Sequence, residues 1–231
     1  MLSGEIVDII TDNEGLKAYI TSLDSKIYVW DYSEKLKIEE DTNVKKIELA
    51  EVPVCLFMEE KFEEGLIGCL EGGIVYANFK EELFSKLVGA PSTENPVIRV
   101  KNLHENIICT IHGMGNFKLW NLENGEELAN FTYERIYCKD VLYNPNNKQI
   151  LAYFDDNSFK TYEYHDYSKT FNFMIDEQTL STERSDQYIA GTQFVDEDNY
   201  FYYFAVDNWG ELYTSELKDK EEHVWVEAIE Q

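Results

Sequence analysis

Residues 115–128 read GNFKLWNLENGEEL. A glycine-containing turn leads into a short run that alternates apolar and polar side chains, ends on Trp120, and gives way to a second turn at Glu123-Asn124-Gly125. Alternation with a period of two marks a half-buried strand, and Asn-Gly is a tight-turn signal. If the stretch is one copy of a repeated unit, the architecture is an array of hairpins. It does recur. KIYVWD at 26–31, GIVYAN at 73–78, NFKLWN at 116–121, SFKTYE at 158–163 and ELYTSE at 211–216 align without a gap. Their apolar anchors Ile27, Ile74, Phe117, Phe159 and Leu212 are separated by 47, 43, 42 and 53 residues. Such a period belongs to arrays of supersecondary units that bury one another's faces.

The flanks of each copy match as well. A turn precedes it: Asp24-Ser25, Glu71-Gly72-Gly73, Gly113-Met114-Gly115-Asn116, Asp155-Asp156-Asn157, and Asp207-Asn208-Trp209-Gly210. These residue types tolerate the backbone conformations of a tight hairpin. Before each turn lies an apolar run, at 16–23, 66–70, 107–111, 150–154 and 200–206. A further strand-like run stands upstream, at 6–10, 54–58, 97–100, 141–143 and 189–195. A weaker one follows each copy, at 45–49, 83–88, 127–131, 170–175 and 223–229. The unit is therefore four short strands, repeated five times, over 4–50, 51–89, 95–132, 137–176 and 187–231 of one domain. Runs such as LIGCL and NIICTI are apolar at consecutive positions, so both faces of those strands need cover. FKEELFSKLVG at 79–89 is the one tempting helix, and its spacing reads better as a turn and a strand.

A four-stranded unit of this length whose third strand ends in Trp-Asp resembles a WD repeat, the blade of a β-propeller. Trp30-Asp31 and Trp120-Asn121 carry the resemblance, with the Asp-containing turns before them. It implies an all-β, WD-repeat-like propeller of about five blades. Two features depart from the family. Only one copy has a literal Trp-Asp, and no Gly-His pair occurs anywhere in the chain. The family's buried relay of His, Ser/Thr, Asp and Trp is therefore not expected in its usual form, and apolar packing is expected to hold the blades. Five blades are fewer than the usual seven, and Met1–Gly4 is too short for a clasping strand. Three arrangements fit: a ring closed without a clasp, an open ring whose flanks a partner covers, or a part of a larger propeller. The stretch GCLEGGIVYANFKEELFSKLVGAP, residues 68–91, is also similar to WD repeats of ciliary and centriolar microtubule-associated proteins.

Composition bounds the function. The 231 residues are 44% hydrophobic, enough for a sizeable core and too apolar for general disorder. Sixteen Tyr and 13 Phe suit pleated, half-buried surfaces. The 45 Asp and Glu against 20 Lys and Arg give a net charge of −25, dispersed along the chain. Such a chain repels nucleic acid and anionic membranes and attracts basic proteins. The start MLSGEIVDII lacks both the basic beginning and the long apolar region of a secretory leader. Cys55, Cys69, Cys109 and Cys138 are accordingly expected to be reduced thiols, packed as small hydrophobes in an intracellular protein, cytoplasmic or nuclear. No apolar stretch approaches the roughly 18 residues of a membrane span.

Signals for chemistry are weak. Cys109-x-x-His112 with His104 has a zinc-like look, but an odd separation on a strand sends Cys109 and His112 to opposite faces, so His112 reads as a loop or rim histidine. Gly72-Gly73 and Gly113-Met114-Gly115 precede strands, not helices, and present no phosphate cradle. The carboxylate cluster Asp196-Glu197-Asp198 lacks a calcium-loop pattern. No catalytic residue, metal ligand or cofactor is expected. The aromatic run YFYYFAVDNWG at 200–210 and the terminal EEHVWVEAIEQ offer Tyr200, Tyr202, Phe204, Trp209 and Trp225 as candidates for contact with a partner protein. The resemblance implies a non-enzymatic interaction scaffold within a multiprotein assembly. The acidity implies a basic partner, such as a ribosomal protein or a histone-like tail.

Overall fold

The computed structural model describes residues 4–32, 44–59, 63–88, 95–104, 106–144, 149–156, 158–165, 170–179, 188–195, 201–207, 212–217 and 225–226. For 88, 104, 144, 149, 158–159, 161, 163–165 and everything described from 170 onward, the description is of the backbone alone. Among the described residues there is no helix.

The strands form five antiparallel sheets of four, each a meander in chain order. Sheet 1 holds β1 (Ile6–Thr11), β2 (Lys17–Ser22), β3 (Lys26–Asp31) and β4 (Val44–Glu48). Sheet 2 holds β5 (Pro53–Met58), β6 (Glu64–Cys69), β7 (Ile74–Asn78) and β8 (Leu83–Val88). Sheet 3 holds β9 (Val97–His104), β10 (Ile107–His112), β11 (Phe117–Asn121) and β12 (Glu127–Phe131). Sheet 4 holds β13 (Cys138–Asn144), β14 (Gln149–Phe154), β15 (Ser158–His165) and β16 (Thr170–Thr179). Sheet 5 holds β17 (Tyr188–Val195), β18 (Phe201–Asp207), β19 (Leu212–Leu217) and β20 (Trp225–Val226). The chain divides into two compact units, Met1–Thr132 with sheets 1–3 and Tyr133–Gln231 with sheets 4 and 5. The all-β expectation holds, and the tempting helix at 79–89 is a turn, with Glu82 at φ 57°, followed by β8.

The sequence repeat is matched by a repeated defect. In every sheet the pairing of the first two strands skips one residue near the start of the first strand. The skipped residues are Val7, Val54, Ile98, Lys139 and Ile189. A bulge bends its strand and increases the local twist. The turn between the second and third strands is tied back to the same place. Leu23, Leu70, Gly113 and Asp155 donate their backbone N–H to the carbonyls of Glu5, Val52, Pro96 and Tyr137, at 2.9–3.0 Å. The donors are spaced as the sequence anchors are. Three residues of these turns lie in the left-handed region: Ser25 at φ 62°, Gly72 at 86° and Gly115 at 88°. Glycine adopts that conformation without the Cβ clash that Ser25 bears.

In the first unit the sheets pack face to face. Tyr19, Ile27 and Ile47 of sheet 1 meet Leu56, Met58, Ile67, Cys69, Val75 and Ala77 of sheet 2. The other face of sheet 2, with Cys55, Leu66 and Ile74, meets Val97, Val100, Ile108 and Trp120 of sheet 3. Consecutive residues Leu66 and Ile67 thus enter different cores, which is why β6 reads as a continuous apolar run. Full burial of a side chain the size of Ile67 stabilises the fold by about 2–3 kcal/mol. Gly68 lies at the second interface, where a Cβ would stand 2.5 Å from both Cys55 Sγ and Val97 Cγ1. Two bonds join the starts of the first strands: Leu56 N–H donates to Asp8 Oδ2 (3.0 Å), and Cys55 Sγ–H to the Val97 carbonyl (3.4 Å).

Candidate functional site

The bulge and the tied-back turn place the same kind of surface at one end of each sheet in the first unit. A bulged residue is left out of the ladder. Of the three here Val7 and Ile98 are exposed, Ile98 at 47%, and Val54 is half-buried. Beside them the turns display Leu23, Leu70 and Met114, the last 60% exposed. The two groups adjoin within each sheet, because the turn hydrogen bonds end on residues just before the bulges. The three sheet ends adjoin one another through the Asp8–Leu56 and Cys55–Val97 bonds. Carboxylates stand among them. Lys26 lies 3.7 Å from Asp24, and Lys86 Nζ donates to Glu51 Oε1 at 2.6 Å, while Glu5 is exposed and Glu71 half-buried. The result is an apolar rim set among carboxylates.

A buried polar chain holds the third of these turns. Trp120 Nε1–H donates to Thr110 Oγ1 at 2.9 Å, which leaves the threonine hydroxyl to donate to His112 Nε2, also 2.9 Å away. His112 Nδ1–H then donates to the Asn95 carbonyl at 3.2 Å. This tautomer is the one that satisfies all three contacts. Asn95 continues the chain: its Oδ1 accepts Met114 N–H (3.0 Å) and its Nδ2 donates to Asn116 Oδ1 (2.8 Å). The exposed Met114 turn is thus fastened through His112 to the core tryptophan. Burial lowers the His112 pKa below its usual 6.5, with the Asn95 carbonyl opposing the shift.

One sequence expectation is corrected here. His112 is not a rim residue; it is 4% exposed, because Thr110 and His112, two apart on β10, both face the packed side. Among the described side chains a Trp–Thr–His chain forms in sheet 3, its histidine supplied by the second strand and not by a Gly-His pair. The literal Trp-Asp copy does not carry it. Trp30 is 40% exposed, against 7% for Trp120. Trp120 pairs with Ile108, two residues before Thr110, whereas Trp30 pairs with Ala18, two residues before Ile20, which offers no hydroxyl. Comparing CTIH with YITS would have revealed the difference. In sheet 4 the equivalent side chain is Tyr162, whose hydroxyl meets that of Tyr133. Burial, and then this contact, raise its pKa.

Of the aromatic candidates, Tyr200 and Trp209 lie outside the described residues, as does Asp196-Glu197-Asp198. Tyr202 pairs with Phe194 and Glu216, Phe204 with Thr192 and Thr214, and Trp225 with Ser215. All four cysteines are buried and free of disulfides. Burial pushes the Cys55 and Cys69 thiols up to about 12, with Glu51 adding to the effect at Cys69, so neither presents a thiolate nucleophile at neutral pH. Among the described residues no group of three or more His, Cys, Asp or Glu is placed to hold a metal ion. Nor is any helix long and apolar enough to cross a membrane. No protein-family model matches the chain, and no curated protein matches it.

Proposed function

We propose that the chain is a diverged, WD-repeat-like β-propeller that serves as a non-enzymatic scaffold for a basic protein partner. The observation that carries the reading is the repeat itself. Five four-stranded meanders share one bulge position, and four of them share one turn-to-strand hydrogen bond, at the intervals of the sequence repeat. Identical units that bury their faces against neighbours are how propeller blades are built. The Trp120–Thr110–His112 relay adds support, since WD repeats hold their strands with the same three residue types. The charge of −25 supplies the partner's sign, because a surface of one sign steers opposite charge.

The test is binding of a fluorescent lysine-rich peptide, followed by anisotropy across ionic strength. Binding that weakens steeply between low and physiological salt is expected. Failure to bind at any salt would remove the basic-partner reading. An electron-microscopy reconstruction in which the sheets are not radial about one axis would remove the propeller.

A further inference from the structure

Single exposed leucines are ordinary on a protein surface. Leu23 and Leu70 are different, because one turn geometry places both at the corresponding end of adjoining sheets, and in sheet 3 Met114 stands exposed one residue past the corresponding Gly113. Val7, Val54 and Ile98 stand beside them for an equally regular reason, the bulge. Neither turn nor bulge needs an apolar side chain at these points. In sheet 4 the bulge position holds Lys139 and the turn holds Asp155. The backbone device therefore tolerates polar residues, and the apolar choice at the bulges of sheets 1–3 and at the turn positions Leu23 and Leu70 is free to serve something outside the fold.

We propose that this rim is a docking surface for an extended segment of a partner protein that carries large apolar side chains between lysines or arginines. The inference rests on the basic-partner reading and adds to it a place and an apolar requirement. The apolar side chains of the segment cover Leu23, Leu70, Met114 and the bulge residues. Its cations face Glu5, Glu71 and the remaining negative field of the chain. Lys26 and Lys86 are already engaged by Asp24 and Glu51 and do not oppose it, and the segment's cations keep clear of Arg99, which is exposed beside Ile98. A second copy of this chain is a poorer occupant, since it would bring another net charge of −25 to the same surface. The rim is also held in shape before binding. Each turn is bonded to its strand start, and Asn95 fastens Met114, so little ordering cost remains for the complex.

The experiment uses the full chain and a short fluorescent peptide of lysine, leucine and serine, with a photo-crosslinking residue at one leucine position. Crosslinks are expected on the turns at Leu23, Leu70 and Met114 or on the adjacent bulges. Replacing every leucine of the peptide by serine is expected to weaken binding at least tenfold. Leu23→Ser, Leu70→Ser and Met114→Ser in the protein are each expected to weaken it roughly fivefold, with unchanged thermal unfolding because the side chains are exposed. Crosslinks confined to other surfaces, or variants that bind as tightly as the parent, overturn the docking surface while leaving the basic-partner reading intact. Absence of peptide binding at any salt overturns both. Self-association of the free chain that the same substitutions abolish would make a second copy the occupant and overturn the proposal. Crosslink mapping needs no variant, so the test holds even if one fails to fold.

Discussion

Thr110→Val tests the buried relay most directly. Valine keeps the shape of threonine, so no cavity opens and the β-branched fit to β10 is retained. What it removes is one hydroxyl with two roles. Trp120 Nε1–H loses its acceptor and His112 Nε2 loses its donor, and both residues are more than nine-tenths buried. A buried polar group left without a partner costs about 1–3 kcal/mol, so two of them are expected to cost about 2–6 kcal/mol in all. That is a large share of the roughly 5–15 kcal/mol by which domains are stable. Urea unfolding followed by tryptophan fluorescence and circular dichroism measures it as a lower midpoint with an unchanged slope. Thr110→Ser keeps the hydroxyl and is expected to cost about 1 kcal/mol or less. Adding Trp120→Phe to Thr110→Val removes the orphaned donor, so the double variant is expected to lose less than the sum of the single losses. A Thr110→Val variant within about 0.5 kcal/mol of the parent, or no worse than Thr110→Ser, would refute the relay as a stabilising element.

Three further outcomes follow from the same geometry. His112 binds its proton more weakly in the folded chain than in the unfolded one, so its contribution is fully present above pH 6.5 and is lost as pH falls below it. Because 45 carboxylates also titrate on the acid side, the measurement is the stability difference between the parent and His112→Gln, which is expected to shrink on acidification. Gly68→Ala places a methyl group against Cys55 Sγ and Val97 between two sheets, and a loss of about 2–3 kcal/mol in chemical unfolding is expected, partly restored by Val97→Ala. Ser25→Gly relieves a left-handed residue at the position where the next two sheets have Gly72 and Gly115, and a gain of roughly 0.5–1 kcal/mol is expected from the same assay.

The strands were legible because their signals are local. Alternation in KIYVWD or NFKLWN, the turn residues before each copy and the interval between copies all lie along the chain, and β3, β7, β11, β15 and β19 fall on them. Less was legible where a strand's extent depends on its neighbour. β9 runs on to His104 and β16 to Thr179, beyond the apolar runs that announced them, because pairing with the adjacent strand continues past the apolar residues. The aromatic run at 200–210 stands out by composition alone, whereas the rim residues are spread singly through three strands and three turns and make no local pattern.

What the sequence determined by itself is the repeating meander, since a two-residue period and a turn type are properties of adjacent residues. Tertiary structure decided which of two similar tryptophans is buried. Trp30 sits in the better motif, but Trp120 has Thr110 and His112 across the pairing, and only register brings the three together. It also decided that Val7, Ile98, Leu23, Leu70 and Met114 share one edge of the first unit. A bulge is a mismatch between two strands, and neither strand read alone contains it.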